Sequence, residues 1–394
     1  MRKFLGSASL VGTSCQAIRA VSVAAHHGAA VRAPAATPRT LRRSAAEAAL
    51  GAVVVLTQAC GASGTGAAST ASSQPPAPSV AGFVAASGPA HATTAGVNGR
   101  IAFARQIPAG GANVFITNPD GSNVHQVPLV YPDEDFGVPI WSPDRSQLLI
   151  SHVLRFDASG NVLPFRPATV DPDGSNFKLL EPPHAPDDMD CLGGWYPDGS
   201  RLLCGFGGGQ PGVFSIRASD GGDPVRLTTY PQPASCNACD APADVSPDGR
   251  RFVFLRFKDE NTPHQQVALF VENLNGSGLR QLTRYGLAQP HENAWAQWSP
   301  DGREIISETT RGRLFVIHPD GTGLTPIHLQ TGTTKYFAFE PDWSPGGKRI
   351  VFCMYINGQE DIYTANADGS NLAQVTNTPD VENGPDWGRS PAAQ

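Results

Sequence analysis

The chain has 394 residues, a formal net charge of -6 and only 16% charged residues. No cluster of lysine and arginine supplies the basic footprint that phosphates need, which argues against a nucleic acid partner. The 42 glycines and 35 prolines indicate a fold rich in turns.

Residues 1–60 have the pattern of a leader with an export signal. Arg42 and Arg43 precede a mostly apolar run, residues 45–56, and small residues then lead to Cys60. This pattern predicts a secretory signal. A cysteine at the processing point resembles a bacterial lipoprotein signal, in which Cys60 would be lipidated. The run is too short to span a bilayer, so membrane attachment would come only from that lipid. A cleaved signal without lipid, and a leader that is no signal, are the alternatives.

Residues 61–98 are dominated by alanine, glycine, serine, threonine and proline, with almost no helix or strand periodicity. Such a segment cannot bury a core, so we predict a disordered tether between the leader and the rest of the chain.

From residue 99 onward two turn motifs alternate without a miss. The first follows an anchor residue, usually tryptophan, and reads Ser-Pro-Asp-Gly or a close variant; the six anchors are Trp141, Trp195, Val245, Trp298, Trp343 and Trp387. The second is an Asp-Gly or Asn-Gly turn, whose glycines are Gly121, Gly174, Gly221, Gly276, Gly321 and Gly369. A double repeat of this length predicts a propeller or solenoid.

The segments between the turns have the composition of strands. Residues 251–257 and 348–355 are short, rich in β-branched and aromatic residues, and bounded by glycine, proline and aspartate. Proline, aspartate and glycine at these positions are typical of hairpin turns. We therefore predict an all-β fold, a six-bladed β-propeller of four-stranded blades.

The two ends of the repeat region complement each other. It opens with a second strand at residues 100–103 and closes with an unpartnered first strand at residues 384–388. The C-terminal strand should complete the first blade and close the ring, which removes exposed sheet edges. Residues 390–394 remain as a tail.

Trp-Ser-Pro-Asp-Gly, a strand, Asp-Gly-Ser and then Leu-Thr resemble the repeat of TolB-type β-propellers over residues 99–389. The resemblance implies a six-bladed module of the bacterial cell envelope that binds a protein partner in an extracytoplasmic compartment. The repeat is specific for the fold and weak for function, because unrelated proteins use it.

The cysteines fit an oxidising compartment. Cys191 and Cys204 flank one predicted hairpin at almost equal distances, so a disulfide between them is expected. Cys236 and Cys239 would pair with each other or link to the neighbouring blade. A zinc site of these four thiolates, or free thiols, are the alternatives. Cys353 lies on a predicted core strand and should be a buried apolar residue.

The loops leading into the innermost strands should converge at one mouth of the channel. Each carries a carboxylate shortly before its anchor; the six are Asp135, Asp190, Asp240, Glu292, Glu340 and Glu382. Such a ring would attract a basic peptide or a divalent cation, with His291 and His184 as further ligands. No other cofactor is predicted, and the alternative is that these carboxylates are solvated or cap local turns.

Motifs for hydrolytic or phosphate chemistry are missing from the sequence: no Gly-x-Ser-x-Gly, no His-Glu-x-x-His, no phosphate loop. We predict a non-catalytic, monomeric binding module of the envelope whose partner is a protein or peptide. One alternative is a metal-dependent propeller enzyme resembling oligogalacturonate lyases or lactonases, using His184, His291, Glu292 and Glu340. The other is a glycan-binding propeller using the loop aromatics Tyr131, Phe136, Tyr230, Tyr336 and Phe337.

Overall fold

The computed structural model describes residues 98–106, 111–129, 135–157, 159, 161–181, 188–206, 212–228, 240–259, 265–288, 295–332 and 334–389. The predictions for the leader, for the tether up to residue 97 and for the tail at 390–394 lie outside these residues. The described residues form 25 strands, and within them no helix is long and apolar enough to cross a membrane.

The strands form six antiparallel sheets that follow one another along the chain. From the channel outward, blade 1 contains β25 (Glu382–Arg389), β1 (Asn98–Gln106), β2 (Ala112–Thr117) and β3 (His125–Gln126). Blade 2 contains an inner strand in two pieces, β4 (Asp135–Phe136) and β5 (Pro139–Trp141), then β6 (Leu148–Phe156), β7 (Val162–Val170) and β8 (Lys178–Leu179). Blade 3 contains β9 (Met189–Asp190), β10 (Arg201–Phe206), β11 (Gly212–Arg217) and β12 (Val225–Arg226).

The second half of the ring repeats the plan. Blade 4 contains β13 (Asp240–Val245), β14 (Arg251–Lys258), β15 (Gln266–Asn273) and β16 (Arg280–Gln281). Blade 5 contains β17 (Ala296–Trp298), β18 (Ile305–Glu308), β19 (Leu314–Ile317) and β20 (Thr325–Pro326). Blade 6 contains β21 (Tyr336–Trp343), β22 (Arg349–Ile356), β23 (Gln359–Asn366) and β24 (Ala373–Gln374). The predicted six-bladed propeller is confirmed.

The C-terminal strand closes the ring as predicted. β25 pairs antiparallel with β1, with Ile101 opposite Trp387 and Ala102 opposite Asp386. The indole N–H of Trp387 donates to the carbonyl of Gly99 at 3.1 Å. The two ends of the described chain therefore meet in one sheet.

The Ser-Pro-Asp-Gly motifs are hairpin turns. In the turn that begins at Ser246, the amide of Gly249 donates to the carbonyl of Ser246 at 2.8 Å, and Gly249 has a positive φ of 66°. The carboxylate of Asp248 accepts from the Ser246 hydroxyl at 2.6 Å and from the amide of Arg250 at 3.1 Å. Arg145 takes the glycine position of the first such turn with φ of 62°, a conformation that costs energy for a residue with a side chain.

The core is divided among the contacts between blades. The buried apolar residues form six clusters, and each cluster joins the facing surfaces of two neighbouring blades. Between blades 3 and 4 the cluster includes Leu203 and the stacked rings of Phe252 and Phe254, 5.3 Å apart. A single blade thus cannot bury its own apolar faces, and the closed ring is the smallest unit that does so.

Cys191 and Cys204 form a disulfide within blade 3, which confirms the expected pairing. The bond leaves neither sulfur available for the alternative zinc site. Cys236 and Cys239 lie outside the described residues. Cys353 is fully buried in β22, as expected from its place on a core strand.

Candidate binding site at the channel mouth

The register of the inner strands places the predicted carboxylates at one end of the ring. Asp135, Asp190, Asp240 and Glu382 pair with residues near the carboxyl end of their second strands, at Leu154, Gly205, Arg256 and Arg105 respectively. Glu340 lies somewhat deeper, within a bulge of β21. We call this end of the ring the mouth. Glu292, His291 and His184 lie outside the described residues, so their predicted roles stay predictions.

Asp240 is held in an internal ion pair. Its two carboxylate oxygens lie 2.7 and 2.8 Å from Nε and Nη2 of Arg256, and both residues are buried. The guanidinium also lies over the rings of Phe254 and Phe270. A buried pair of this geometry neutralises its own charge, so Asp240 adds little negative potential to the mouth.

Glu382 is paired in a similar way. Its Oε1 lies 2.8 Å from Nε and 2.7 Å from Nη2 of Arg105, and the hydroxyls of Thr376 and Thr378 donate to the same carboxylate. Burial raises the pKa of Glu382, against the lowering effect of these donors. This carboxylate fastens the start of β25 to blades 1 and 6.

Glu340 joins neighbouring blades through the main chain. Its Oε2 accepts from the amide of Gly384 at 2.7 Å and from the thiol of Cys353 at 3.2 Å. Its own amide donates to Glu308 Oε2 at 3.3 Å. Glu340 is buried and has φ of 52°, where the equivalent residue of blade 1 is Gly384. A non-glycine residue in this region is strained, and the contacts hold it there.

Three partly exposed carboxylates lie at the mouth end of blade 2 and at its borders with blades 1 and 3. Asp190 Oδ2 lies 3.0 Å from Nδ1 of the buried His152, and the Asp190 side chain is 33% exposed. Asp135 accepts from the amide of Ala112 at 2.7 Å, and Asp188 accepts from the amide of Phe165 at 3.0 Å. Asp190 Oδ1 has no hydrogen-bond partner among the described residues.

The three carboxylates act together on His152. Burial lowers the pKa of this imidazole, but Asp190, then Asp135 and Asp188, raise it by more, so the net direction is upward. The imidazole is thus held as a cation more readily than a free histidine.

A second set of carboxylates was missed in the sequence. Asp244, Asp342 and Asp386 stand directly before their anchors and accept hydrogen bonds from the anchor amides of the following blades, Trp298, Trp387 and Trp141, at 2.8, 2.8 and 2.9 Å. The inner strands enclose these carboxylates, which nevertheless keep partial access to the channel. The signal was available, since an aspartate precedes the anchor in three of the six repeats.

Burial raises the pKa of all three channel aspartates. The pKa of Asp244 rises to about 8 and the pKa of Asp386 to about 7. The pKa of Asp342 rises well above its usual value, through burial first and the charge of Asp386 second. The charge of Asp386 also raises the pKa of Asp244. The three side chains therefore sense one another across the channel and can hold protons near neutral pH.

Within the described residues, no group of three or more histidine, cysteine, aspartate or glutamate side chains is arranged to hold a metal ion. The divalent cation considered for the mouth stays a prediction.

No family model matches the chain. It is 32% identical over 93 residues to the Tol-Pal system protein TolB of Anaeromyxobacter dehalogenans (strain 2CP-C), a match that covers 23% of this chain and 20% of that protein. It is 26% identical over 187 residues to the uncharacterized protein Atu1656 of Agrobacterium fabrum, covering 47% and 57%. The matches thus span less than two thirds of these relatives.

Solved structures agree on the fold. The crystal structure of TolB from Acinetobacter baumannii matches with a TM-score of 0.51 and 17% identity, covering 73% of this chain and 66% of that one. At this identity the likeness concerns the architecture alone.

Proposed function

Because the chain is a TolB-like six-bladed β-propeller, we propose that it is a non-catalytic binding module of the bacterial cell envelope. It receives a basic segment of a protein partner at the mouth, on the side where blades 2 and 3 meet. The lipid at Cys60, where present, holds it at the membrane, and the propeller acts as a monomer.

One observation carries the binding proposal: the predicted carboxylates differ in how far their charge is available. Asp240 and Glu382 are matched by Arg256 and Arg105 inside the wall. Asp190 instead has a side chain that is 33% exposed, beside the buried imidazole of His152. An accessible carboxylate at the mouth favours a cationic partner and steers its approach.

The disulfide of the propeller and the pattern of the leader both support an extracytoplasmic location. The disulfide between Cys191 and Cys204 is of the kind that persists in oxidising compartments. The leader carries the export pattern that ends at Cys60. The relative named as a Tol-Pal system protein supports the same setting.

The test compares two isosteric variants of the full chain. Asp190→Asn removes a carboxylate at the mouth that is 33% exposed, whereas Asp223→Asn removes one at the opposite end that is 61% exposed and pairs with Arg201. Binding of a fluorescent twelve-residue peptide of alternating lysine and serine is measured by anisotropy at low salt. We expect Asp190→Asn to weaken binding about fivefold, as loss of a charge partner at an interface does. Equal affinities for the two variants would contradict the proposal.

The two alternatives have less support. The enzyme alternative depends on His184 and His291, which lie outside the described residues. The glycan-binding alternative depends on loop aromatics, of which Phe136 is buried in the core between blades 1 and 2. Tyr336 is covered by the guanidinium of Arg313 at 4.0 Å. No described feature favours either over the binding of a basic segment.

A further inference from the structure

The hairpin of blade 2 is longer than that of blade 3, the next blade along the chain. β6 and β7 have nine residues each, whereas β10 and β11 of blade 3 have six each. The hairpin ends in a directly opposed pair, Phe156 and Val162. These side chains are 38% and 45% exposed, so the extended strands carry an apolar pair into solvent.

This pair differs from the other exposed apolar side chains of the described residues. Val124, Leu279 and Leu324 are isolated residues that precede the outermost strands, at the end of the ring opposite the mouth. Phe337 covers Gly312, where an added Cβ would lie 2.2 Å from its ring. Isolated exposed apolar residues are ordinary on a protein surface. Phe156 and Val162 instead lie side by side, as cross-strand partners do.

Contacts of residues close to the apolar pair hold the end of the hairpin in place. Arg155 forms an ion pair with Glu181 at 3.1 Å, and the amide of Phe165 donates to Asp188 on the segment that leads into blade 3. At the turn, Asp157 Oδ1 accepts from the amides of Ser159 and Asn161 at 2.8 and 2.9 Å. The apolar pair is therefore presented by an ordered element, which lowers the entropic cost of binding.

The charges beside the hairpin indicate what would cover the pair. Glu181 is 58% exposed and Asp190 is 33% exposed. Arg155 and His152 contact these two carboxylates, and the guanidinium of Arg166, on the same hairpin, donates to the carbonyl of Phe165 at 2.7 Å. An apolar contact bordered by accessible carboxylates is complementary to an apolar side chain with basic neighbours.

We propose that the tip of the β6–β7 hairpin is a docking element for a partner segment in which an apolar residue is flanked by lysine or arginine. This rests on the proposed function and adds an apolar contact to the charge at the mouth. Phe156 supplies the aromatic side chain that interfaces commonly use as an energetic anchor.

The test uses two double variants of the full chain. Phe156→Ser with Val162→Thr removes the apolar pair at the mouth side, and Leu279→Ser with Leu324→Thr removes two exposed side chains at the opposite end. Each is titrated with two labelled twelve-residue peptides, one alternating lysine with leucine and one alternating lysine with serine.

We expect the mouth-side variant to bind the lysine-leucine peptide about tenfold more weakly, the effect of losing an interface anchor. Its affinity for the lysine-serine peptide and both affinities of the control variant should stay unchanged. Val162→Thr alone provides the same comparison if the double variant melts at a lower temperature than the parent.

Three results would overturn the docking proposal. One is an equal loss of affinity for the lysine-leucine peptide in both double variants, and another is no loss of that affinity in either. The third is a parent dimer on size-exclusion chromatography that the mouth-side variant dissociates, because the pair would then contact a second copy. If one of these results is obtained but Asp190→Asn still weakens binding of the lysine-serine peptide, the proposed function stands while the docking proposal fails.

Discussion

Three of the six contacts between blades hold the next anchor by two polar groups, and the other three do not. Between blades 4 and 5, Asp244 accepts from the amide of Trp298, and the guanidinium of Arg251 lies 4.7 Å from the centre of the same indole. Asp342 with Arg349 holds Trp387 between blades 6 and 1, and Asp386 with Arg100 holds Trp141 between blades 1 and 2. We call this combination a clamp.

The unclamped contacts use weaker substitutes. Between blades 2 and 3 and between blades 5 and 6, the indole N–H of Trp195 or Trp343 donates to a main-chain carbonyl of the previous blade at 3.3 Å. Between blades 3 and 4 the anchor is Val245, and the residue before the previous anchor is Gly194. There Arg201, which begins the second strand, turns to Asp223 and Ser215 instead.

The comparison shows that aspartate and arginine act as a unit around a tryptophan. Where the aspartate is missing, the arginine is also missing, as at Gln147 and Glu304, or is redirected, as Arg201 is. Two of the three clamps involve β25, through Asp386 and Trp387. The ring is thus clamped on both sides of its closing strand, whereas blade 3 relies on apolar packing and its disulfide.

The largest effect should come from removing β25. Deleting residues 382–394 takes away the inner strand of blade 1, two clamps and the ion pair of Glu382 with Arg105. We expect the cooperative thermal transition to disappear in calorimetry, because two neighbouring interfaces lose their buried surface. Deleting residues 390–394 alone is the control and should leave the transition unchanged. A normal melt of the longer deletion would show that the ring does not depend on this strand.

Removing the disulfide should have the second largest effect on stability. Replacing Cys191 and Cys204, 13 residues apart, with serine should lower the free energy of unfolding by about 3 kcal/mol, the value for closing a loop near this length. Since blade 3 has no clamp on either side, hydrogen exchange should increase in β10 and β11 and stay unchanged in β22 and β23. A uniform increase across all blades would argue against a separate, weaker sector.

Removing a single clamp should lower the free energy of unfolding by less than removing the disulfide. Asp342→Ala leaves the enclosed amide of Trp387 without its acceptor, which should cost about 2 kcal/mol in denaturant unfolding. Asp342→Asn keeps an acceptor oxygen and should cost less than half of that. Gln297→Ala, at the same position of unclamped blade 5, removes one hydrogen bond donated to Asp244 Oδ2 and one accepted from the Trp295 indole, but no acceptor of an anchor amide, and should cost about 1 kcal/mol. Equal losses at positions 297 and 342 would remove the distinction between the two kinds of contact.

The smallest effect concerns pH. Asp244 and Asp386 have folded pKa values of about 8 and about 7, above those of an unfolded aspartate. Protons thus bind the folded state more tightly, and this contribution to stability is fully present below about pH 4 and is lost as pH rises to about 8. His152 shifts in the same direction. The melting temperature should therefore rise by about 2 °C or more between pH 8 and pH 6.

The pH effect has its own control. A variant with asparagine at positions 244, 342 and 386 should lose most of this slope, because its channel no longer titrates. Exposed turn aspartates such as Asp120 and Asp173 have lowered pKa values, owing to hydrogen bonds from Ser122 and Ser175. They act in the opposite direction, but only toward acid pH, so they do not mask the window from pH 6 to pH 8. A flat profile in the parent would contradict the assignment.

The fold could be predicted because its repeat contains residues, such as proline and glycine, that each favour few backbone conformations. Proline and glycine in Ser-Pro-Asp-Gly fix a turn at each repeat, and the mismatch between the first and last strands predicts closure. The Cys191–Cys204 pair followed from its symmetric position about one turn. These features are local, so they can be read without knowing the neighbours of a residue in space.

The state of the mouth residues could not be predicted in the same way. Asp240, Glu340 and Asp190 look alike in sequence, yet one is neutralised by Arg256, one accepts from a main-chain amide and a thiol, and one is partly exposed beside His152. Their partners come from other strands and other blades. Burial and pairing depend on those distant contacts, which the repeat pattern does not specify.

The most direct test of the account is site-specific photocrosslinking in the native envelope. A benzoyl-phenylalanine residue is placed at position 156, beside the mouth, or at position 279, at the opposite end of the ring. We expect a discrete adduct with a protein from position 156, with the crosslink mapping to a basic segment, and none from position 279. Adducts of equal yield from both positions, or from position 279 alone, would contradict it.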